Sequence, residues 1–273
     1  MTARTIRSGA ADIAIESAGS GPPVVLLHAG VADRRMWREQ IAALAREGFG
    51  AHAYDRRGFG DTLHADEAWS HLRDLVAVLD DVARAPAILV GCSLGGALAI
   101  DAALAHPKRV AGLVLVAPAI GGAPAPTSVP APIQAMIDRM ERADEANDVD
   151  AINALEAHAW LDGPLEPEGR VGGPARTLFL EMNGIALRAE MRGEQHKEPE
   201  AYTRVAGIGC PTLVVWGDLD FPDVIANCRH LVATVRGARH HVFRGAAHLP
   251  NVEQPVAFDR LLVEFCRSVS ERR

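Results

Sequence analysis

Four short runs of unbroken apolar residues limit the folds open to this chain: positions 24–27 (VVLL), 88–90 (ILV), 113–116 (LVLV) and 213–216 (LVVW). Each is too short for a helix, and none alternates with polar residues. They read as strands buried on both faces of a sheet. Between them lie stretches with helical periodicity, among them 36–47 and 72–83. Strands alternating with helices imply a mostly parallel sheet covered on both sides, so the expected fold class is α/β. Upstream, Asp12-Ile13-Ala14-Ile15-Glu16 alternates polar with apolar, as a half-buried strand does. The Gly19-Ser20-Gly21-Pro22-Pro23 break follows it.

The rhythm fails once. Between Pro118 and Pro211 no comparable strand run occurs, and 132–142, 149–160 and 175–192 read as helices. A structureless loop of this length would be unusual. A helical insertion between two late strands implies a cap over the carboxyl ends of the sheet, where open α/β sheets bind ligands. The expected division is a core of 1–118 and 201–273 with a helical cap of 119–200. Part of this region, 110–137, is uncharged and long enough to span a membrane. Its five prolines (Pro118, Pro124, Pro126, Pro130 and Pro132) and Gly121-Gly122 argue instead for a buried strand followed by a loop.

The chemistry concentrates at Gly91-Cys92-Ser93-Leu94-Gly95-Gly96, where a buried strand runs directly into a helix. A nucleophilic serine needs a turn tight enough to present Oγ above the sheet edge, and small residues on either side let strand and helix approach. The helix N-terminus beneath Ser93 favours developing negative charge. The same residues could form an ordinary glycine-rich turn with Ser93 as an N-cap. A dinucleotide fingerprint is excluded, because Ser93 and Leu94 break the G-x-G-x-x-G register.

Composition narrows the partners. The net charge of -7 argues against nucleic acid, which needs clustered Lys and Arg. The cysteines Cys92, Cys210, Cys228 and Cys266 form no C-x-x-C pair and have no His at metal-ligand spacing. Free thiols and a start without an apolar signal core imply a soluble, cytoplasmic protein with no membrane partner.

Together with the serine motif, Trp216-Gly217-Asp218-Leu219-Asp220 and Gly245-Ala246-Ala247-His248-Leu249-Pro250 resemble the α/β-hydrolase fold superfamily. Leu26-Leu27-His28-Ala29-Gly30 and Asp55-Arg56-Arg57-Gly58-Phe59-Gly60 resemble its early loop signatures. The motifs follow the order of that superfamily, and the resemblance covers nearly the whole chain apart from the cap.

It implies a triad of Ser93, Asp220 and His248, with Asp218 and Asp223 as rival acids. It also implies an oxyanion hole made by the backbone amides of Leu94 and Gly30, with Ala29 departing from the usual His-Gly. His28 and the Asp55-Arg56-Arg57-Gly58 turn are expected to be scaffold, and Cys92 a packing residue. In the cap, Trp160, Met136 and Phe179 are candidates to line an apolar substrate pocket or to pack the cap helices together. Arg34 is a candidate for a substrate carboxylate or an exposed residue at a helix start. The implied activity is cleavage of a small, largely apolar carboxylic ester or lactone through an acyl-enzyme, with no metal or organic cofactor. Carbon–carbon or enol-lactone hydrolysis and a ligand receptor with little turnover stay open as alternatives, as does pairing of two copies into a homodimer.

Overall fold

The computed structural model describes residues 1–271. Among them, eight strands form one sheet: β1 (Thr2–Ser8), β2 (Ala11–Ala18), β3 (Pro23–Leu27), β4 (Gly50–Tyr54), β5 (Ala87–Cys92), β6 (Val110–Val116), β7 (Thr212–Gly217) and β8 (Arg239–Phe243). Their spatial order is β1-β2-β4-β3-β5-β6-β7-β8. The first two strands run antiparallel to their neighbours, and every pairing from β4 to β8 is parallel. The class is α/β, as the apolar runs imply.

Those runs are continuous because both faces of the sheet are dry. On β3, Val25 and Leu27 join one core cluster while Val24 and Leu26 join the other. The alternation repeats on β6 and β7, where Leu115 and Val214 face one way and Val116 and Val215 the other. The first face is covered by α2 (His71–Val82), α3 (Leu94–Ala105) and α7 (Pro222–Thr234). The second is covered by α1 (Arg38–Arg46) and α9 (Pro255–Ser270), and a short α8 (Pro250–Glu253) precedes α9. Not every strand carries an apolar run. In β1 only Ile6 and Ser8 are buried, and β4 is built on small residues, Ala51 and Ala53, beneath neighbouring helices.

Between β6 and β7 lie α4 (Ala131–Glu145), α5 (Val149–Glu156), a π-helical turn (Ala157–Asp162) and α6 (Gly173–Arg188). No strand interrupts them. This insertion docks through Ala157, Leu161, Phe179 and Met182, which join the α1/α9 side of the core. Its helices end at Arg188, and the chain then returns along the core. There the Trp69 N–H donates to the Glu194 carbonyl at 2.9 Å and the His196 N–H to the Trp69 carbonyl at 2.7 Å. Among the described residues no helix is long and apolar enough to cross a membrane.

The chain order reverses around β3, since β4 lies on one side of it and β5 on the other. The loops leaving β3 and β5 therefore diverge above a shared crevice, the position at which open α/β sheets bind ligands. Close approach of β5, α3 and β3 makes that crevice. A Cβ on Gly91 would collide with the Gly95 carbonyl, and one on Gly95 with the carbonyls of Leu27 and His28. These obstacles are backbone atoms, which cannot rotate away. Gly95→Ala is expected to lower unfolding free energy by about 1–3 kcal/mol, read as a lower urea midpoint at unchanged m-value.

Candidate active site

Ser93 stands between β5 and α3 with φ 54° and ψ -117°, a left-handed conformation that a serine adopts only when its surroundings impose it. Three backbone bonds do so. The Ser93 N–H donates to the Val116 carbonyl at 2.9 Å, and its own carbonyl accepts from Ala97 at 3.0 Å and Ala119 at 3.1 Å. An N-cap would have extended backbone and a side chain bonded into the first turn. Ser93 has neither, so the helix-capping reading of this serine is set aside.

Gly30 sits on the loop after β3, close enough to Leu94 that an added Cβ would lie 2.8 Å from the Leu94 Cδ1. A buried cation fixes the loop. Arg56, 2% exposed, donates through Nη2 to the carbonyls of His28 at 3.2 Å and Ala29 at 3.1 Å. The Arg56 backbone N–H donates to His28 Nε2 at 3.0 Å, so the ring proton is on Nδ1, 2.7 Å from the Ala29 carbonyl. Burial holds the His28 imidazole well below its usual pKa, consistent with a neutral ring that accepts at Nε2. The Ala29 carbonyl and the Gly30 N–H belong to one planar peptide and point in opposite directions. Tying the carbonyl to Arg56 and His28 therefore directs the Gly30 amide away from them. The Ala29 amide is itself occupied by the Met36 sulfur at 3.4 Å.

His248 lies on the loop between β8 and α8, and its Nδ1 donates to Oδ2 of Asp220 at 2.8 Å. Both are buried, and the second oxygen of Asp220 accepts from the Phe221 N–H at 2.7 Å. The rival carboxylates make no bond to His248. Asp218 accepts from the Gly245 N–H at 2.7 Å, and Asp223 is exposed at the start of α7.

Ser93, Leu94, Gly30 and His248 line one cavity of about 460 Å³. Its walls are mostly apolar, with Val31, Ala119, Ile120, Trp160 and Val224 among them, and Glu156, Asp223 and Asn227 supply polar groups. Trp160 and Glu156 come from the insertion. The Trp160 ring lies 4.6 Å from that of His248 and 4.5 Å from that of Phe221, and its carbonyl accepts from the His248 N–H at 3.2 Å. The sequence reading missed Glu156, Val224 and Asn227, and considered Asp223 only as a rival acid. The spacing of Glu156 and Trp160, one helical turn apart, was the available signal. A larger groove of about 830 Å³ between α1 and α9 holds none of the candidate residues.

Three candidate substrate contacts do not reach the cavity. Phe179, 1% exposed, packs into the core beneath the insertion, and Met136 is buried within α4. Their apolar character serves packing. Arg34 is neither exposed nor open to a ligand: its guanidinium pairs with Asp55 and, at 2.6 Å, with Asp61. Burial raises the Asp55 carboxyl to about 6, against the pull of Arg34 and two backbone amides. Arg35 is likewise occupied, on Asp33 at 2.7 Å. Cys92 is fully buried, and burial first, with Asp220 nearby, pushes its thiol above the ordinary range. Among the described residues no group of three His, Cys, Asp or Glu side chains is arranged to hold a metal.

A model described as the alpha/beta hydrolase family matches residues 24–261. The 2-hydroxy-6-oxononadienedioate/2-hydroxy-6-oxononatrienedioate hydrolase of Comamonas testosteroni is 27% identical over 263 residues, covering 93% of this chain and 90% of that protein. The pimeloyl-(acyl-carrier protein) methyl ester esterase of Aeromonas hydrophila is 27% identical over 259 residues, covering 93% and 98%. The structure of an esterase from Exiguobacterium antarcticum aligns with a TM-score of 0.77 at 21% identity, over 97% of this chain and 100% of that one, which shows a shared fold.

Two outcomes separate scaffold from chemistry here. Arg34→Met leaves Asp55 buried without its cation and is expected to lower unfolding free energy by about 3–5 kcal/mol, measured by urea denaturation. A stability equal to wild type would show that the pair is not structural. Because burial keeps the Cys92 thiol protonated, iodoacetamide at mildly alkaline pH should leave the folded protein unmodified at Cys92, as read by peptide mass mapping.

Proposed function

The chain belongs to the alpha/beta hydrolase family, and we propose that it is a serine hydrolase of a small carboxylic ester or lactone. The observation that carries this reading is the strained Ser93 in one cavity with a His248 already bonded to a buried Asp220. A left-handed serine with no capping bond costs on the order of 1–3 kcal/mol, and presentation of Oγ to a ligand accounts for that cost.

In this mechanism His248 Nε2 takes the proton from Ser93 Oγ as the oxygen attacks the substrate carbonyl carbon. Nδ1–H stays on Asp220, which holds the ring and stabilises the imidazolium. The tetrahedral oxyanion is received by the backbone amides of Leu94 and Gly30. Among the described residues neither amide is bonded to a protein acceptor. Collapse of the intermediate expels the alcohol, protonated by His248, and leaves an acyl-enzyme. Water activated by the same imidazole then releases the acid. Residues 119–200 serve as the cap, with Trp160 and Glu156 closing the cavity over Ser93. The mostly apolar walls suit a small substrate. An ester is preferred as the scissile group because the Aeromonas hydrophila relative is named for a methyl ester.

Ser93→Ala is expected to abolish both fluorophosphonate labelling and p-nitrophenyl acetate hydrolysis. Asp220→Asn should keep the fold and lower kcat by about 10³–10⁴. A wild type that neither labels nor hydrolyses any ester or lactone would overturn the reading.

A further inference from the structure

One wall of the cavity carries a charge that the hydrolytic mechanism does not use. Glu156 is the last residue of α5, which continues without a break into the π-helical turn that carries Trp160. It is half-buried, and burial pushes its carboxyl above the usual range. Among the described residues it has no cationic partner. What holds it is an amide: Asn183 Nδ2 donates to Oε2 at 2.6 Å, and Asn183 is itself 1% exposed and bonded to Asn153 Oδ1 at 3.0 Å. One amide from α6, itself anchored on Asn153 of α5, thus fixes one oxygen of a carboxylate whose charge burial disfavours. Residues that break local rules in this way mark function more often than packing.

What faces Glu156 gives it a use. Trp160 lies one turn further along and lines the same cavity. An indole beside an unpaired carboxylate is a pairing that holds organic cations, the ring through its π face and the carboxylate through its charge. Asp223 adds a second negative charge at the exposed rim, and Asn227 is neutral. No Lys or Arg lines the cavity among the described residues. The nearby Arg34 and Arg35 are occupied by Asp55, Asp61 and Asp33. The field in the cavity is therefore negative away from His248. The Comamonas testosteroni relative is named for a dioate, and two carboxylates would meet no cation on these walls.

We propose that Glu156 is a specificity-determining residue that, with Trp160, draws a cationic group of the substrate into the cavity and turns carboxylate-bearing substrates away. The inference rests on Ser93 acting as the nucleophile of an ester hydrolase.

The test compares three matched thioesters: acetylthiocholine, its neutral isostere 3,3-dimethylbutyl thioacetate, and S-acetyl-3-mercaptopropanoate, each followed by release of the thiol. The readout is the ratio of kcat/KM between esters within each variant, so a general loss of activity cancels. The wild type is expected to favour the cationic ester over the neutral one by roughly tenfold and over the anionic one by roughly a hundredfold. Glu156→Gln, which keeps an oxygen for Asn183, should bring both ratios to within about threefold of unity. Equal ratios in the two proteins, or a wild type that prefers the anionic ester, would overturn the proposal. If Ser93→Ala still turns over these esters, the hydrolytic reading fails instead.

A second measurement reads the preference without turnover, through the shift in Tm caused by choline, 3,3-dimethylbutanol or 3-hydroxypropanoate. A shift by choline in the wild type that disappears in Glu156→Gln supports the proposal. No shift by choline, or an equal shift in both proteins, overturns it.

Discussion

Among the described residues, a guanidinium buried without a carboxylate partner holds the loop after β3. Arg56 is 2% exposed, and burial lowers its pKa to about 10, which still leaves it charged at neutral pH. Its compensation comes from the carbonyl oxygens of His28 and Ala29 and from the Phe59 ring, 4.7 Å from its central carbon. Carbonyl dipoles answer a cation only when they are aimed at it, so this charge dictates the path of the loop after β3. The plane of the Ala29–Gly30 peptide and the placing of Gly30 beside Leu94 follow from it, while the Arg56 backbone N–H sets the tautomer of His28.

Around that loop the protein uses charge where its core elsewhere uses hydrocarbon. Arg57, nearly buried, bonds Asp74 at 2.8 Å and Glu67 at 2.7 Å, and its Nη2 donates to the Ser8 carbonyl at 3.0 Å. Arg34 sits on Asp55, whose oxygens also accept from the Arg34 and Asp61 amides. Buried ion pairs add little net stability over apolar side chains of the same volume, but breaking one is expensive. Their effect here is geometric. They tie β1, the loop after β4 and α2 to a single arrangement beside the crevice, where an apolar patch would permit several.

The sequence was legible wherever a physical requirement fell on neighbouring residues. The runs at β3, β5, β6 and β7 were readable because both faces of those strands are dry. The serine turn was readable because Gly91 and Gly95 answer contacts only a few residues away. β1 lies exposed at a sheet edge and β4 is made of small side chains, so neither leaves an apolar signature. Arg34 was misread for a related reason: its partner Asp55 is 21 residues away, and nothing local distinguishes a paired arginine from a free one. Glu156 escaped notice because helical periodicity in the insertion reports which residues are apolar, not which polar residue lines the cavity. The pairing of Asp220 with His248 needed the fold to bring together loops 28 residues apart. The order of the motifs supplied the candidates, and the distance separates Asp220 from Asp218 and Asp223.

The π-helical turn at Ala157–Asp162 is one of the places where the insertion meets the core. Its extra residue per turn widens the helix where Trp160 meets the rings of His248 and Phe221, while its carbonyl holds the His248 amide. Any tilt of the insertion away from the sheet must break that bond and unstack that ring together. An opening of that kind would expose the backbone proton of a single residue, His248, to exchange with solvent.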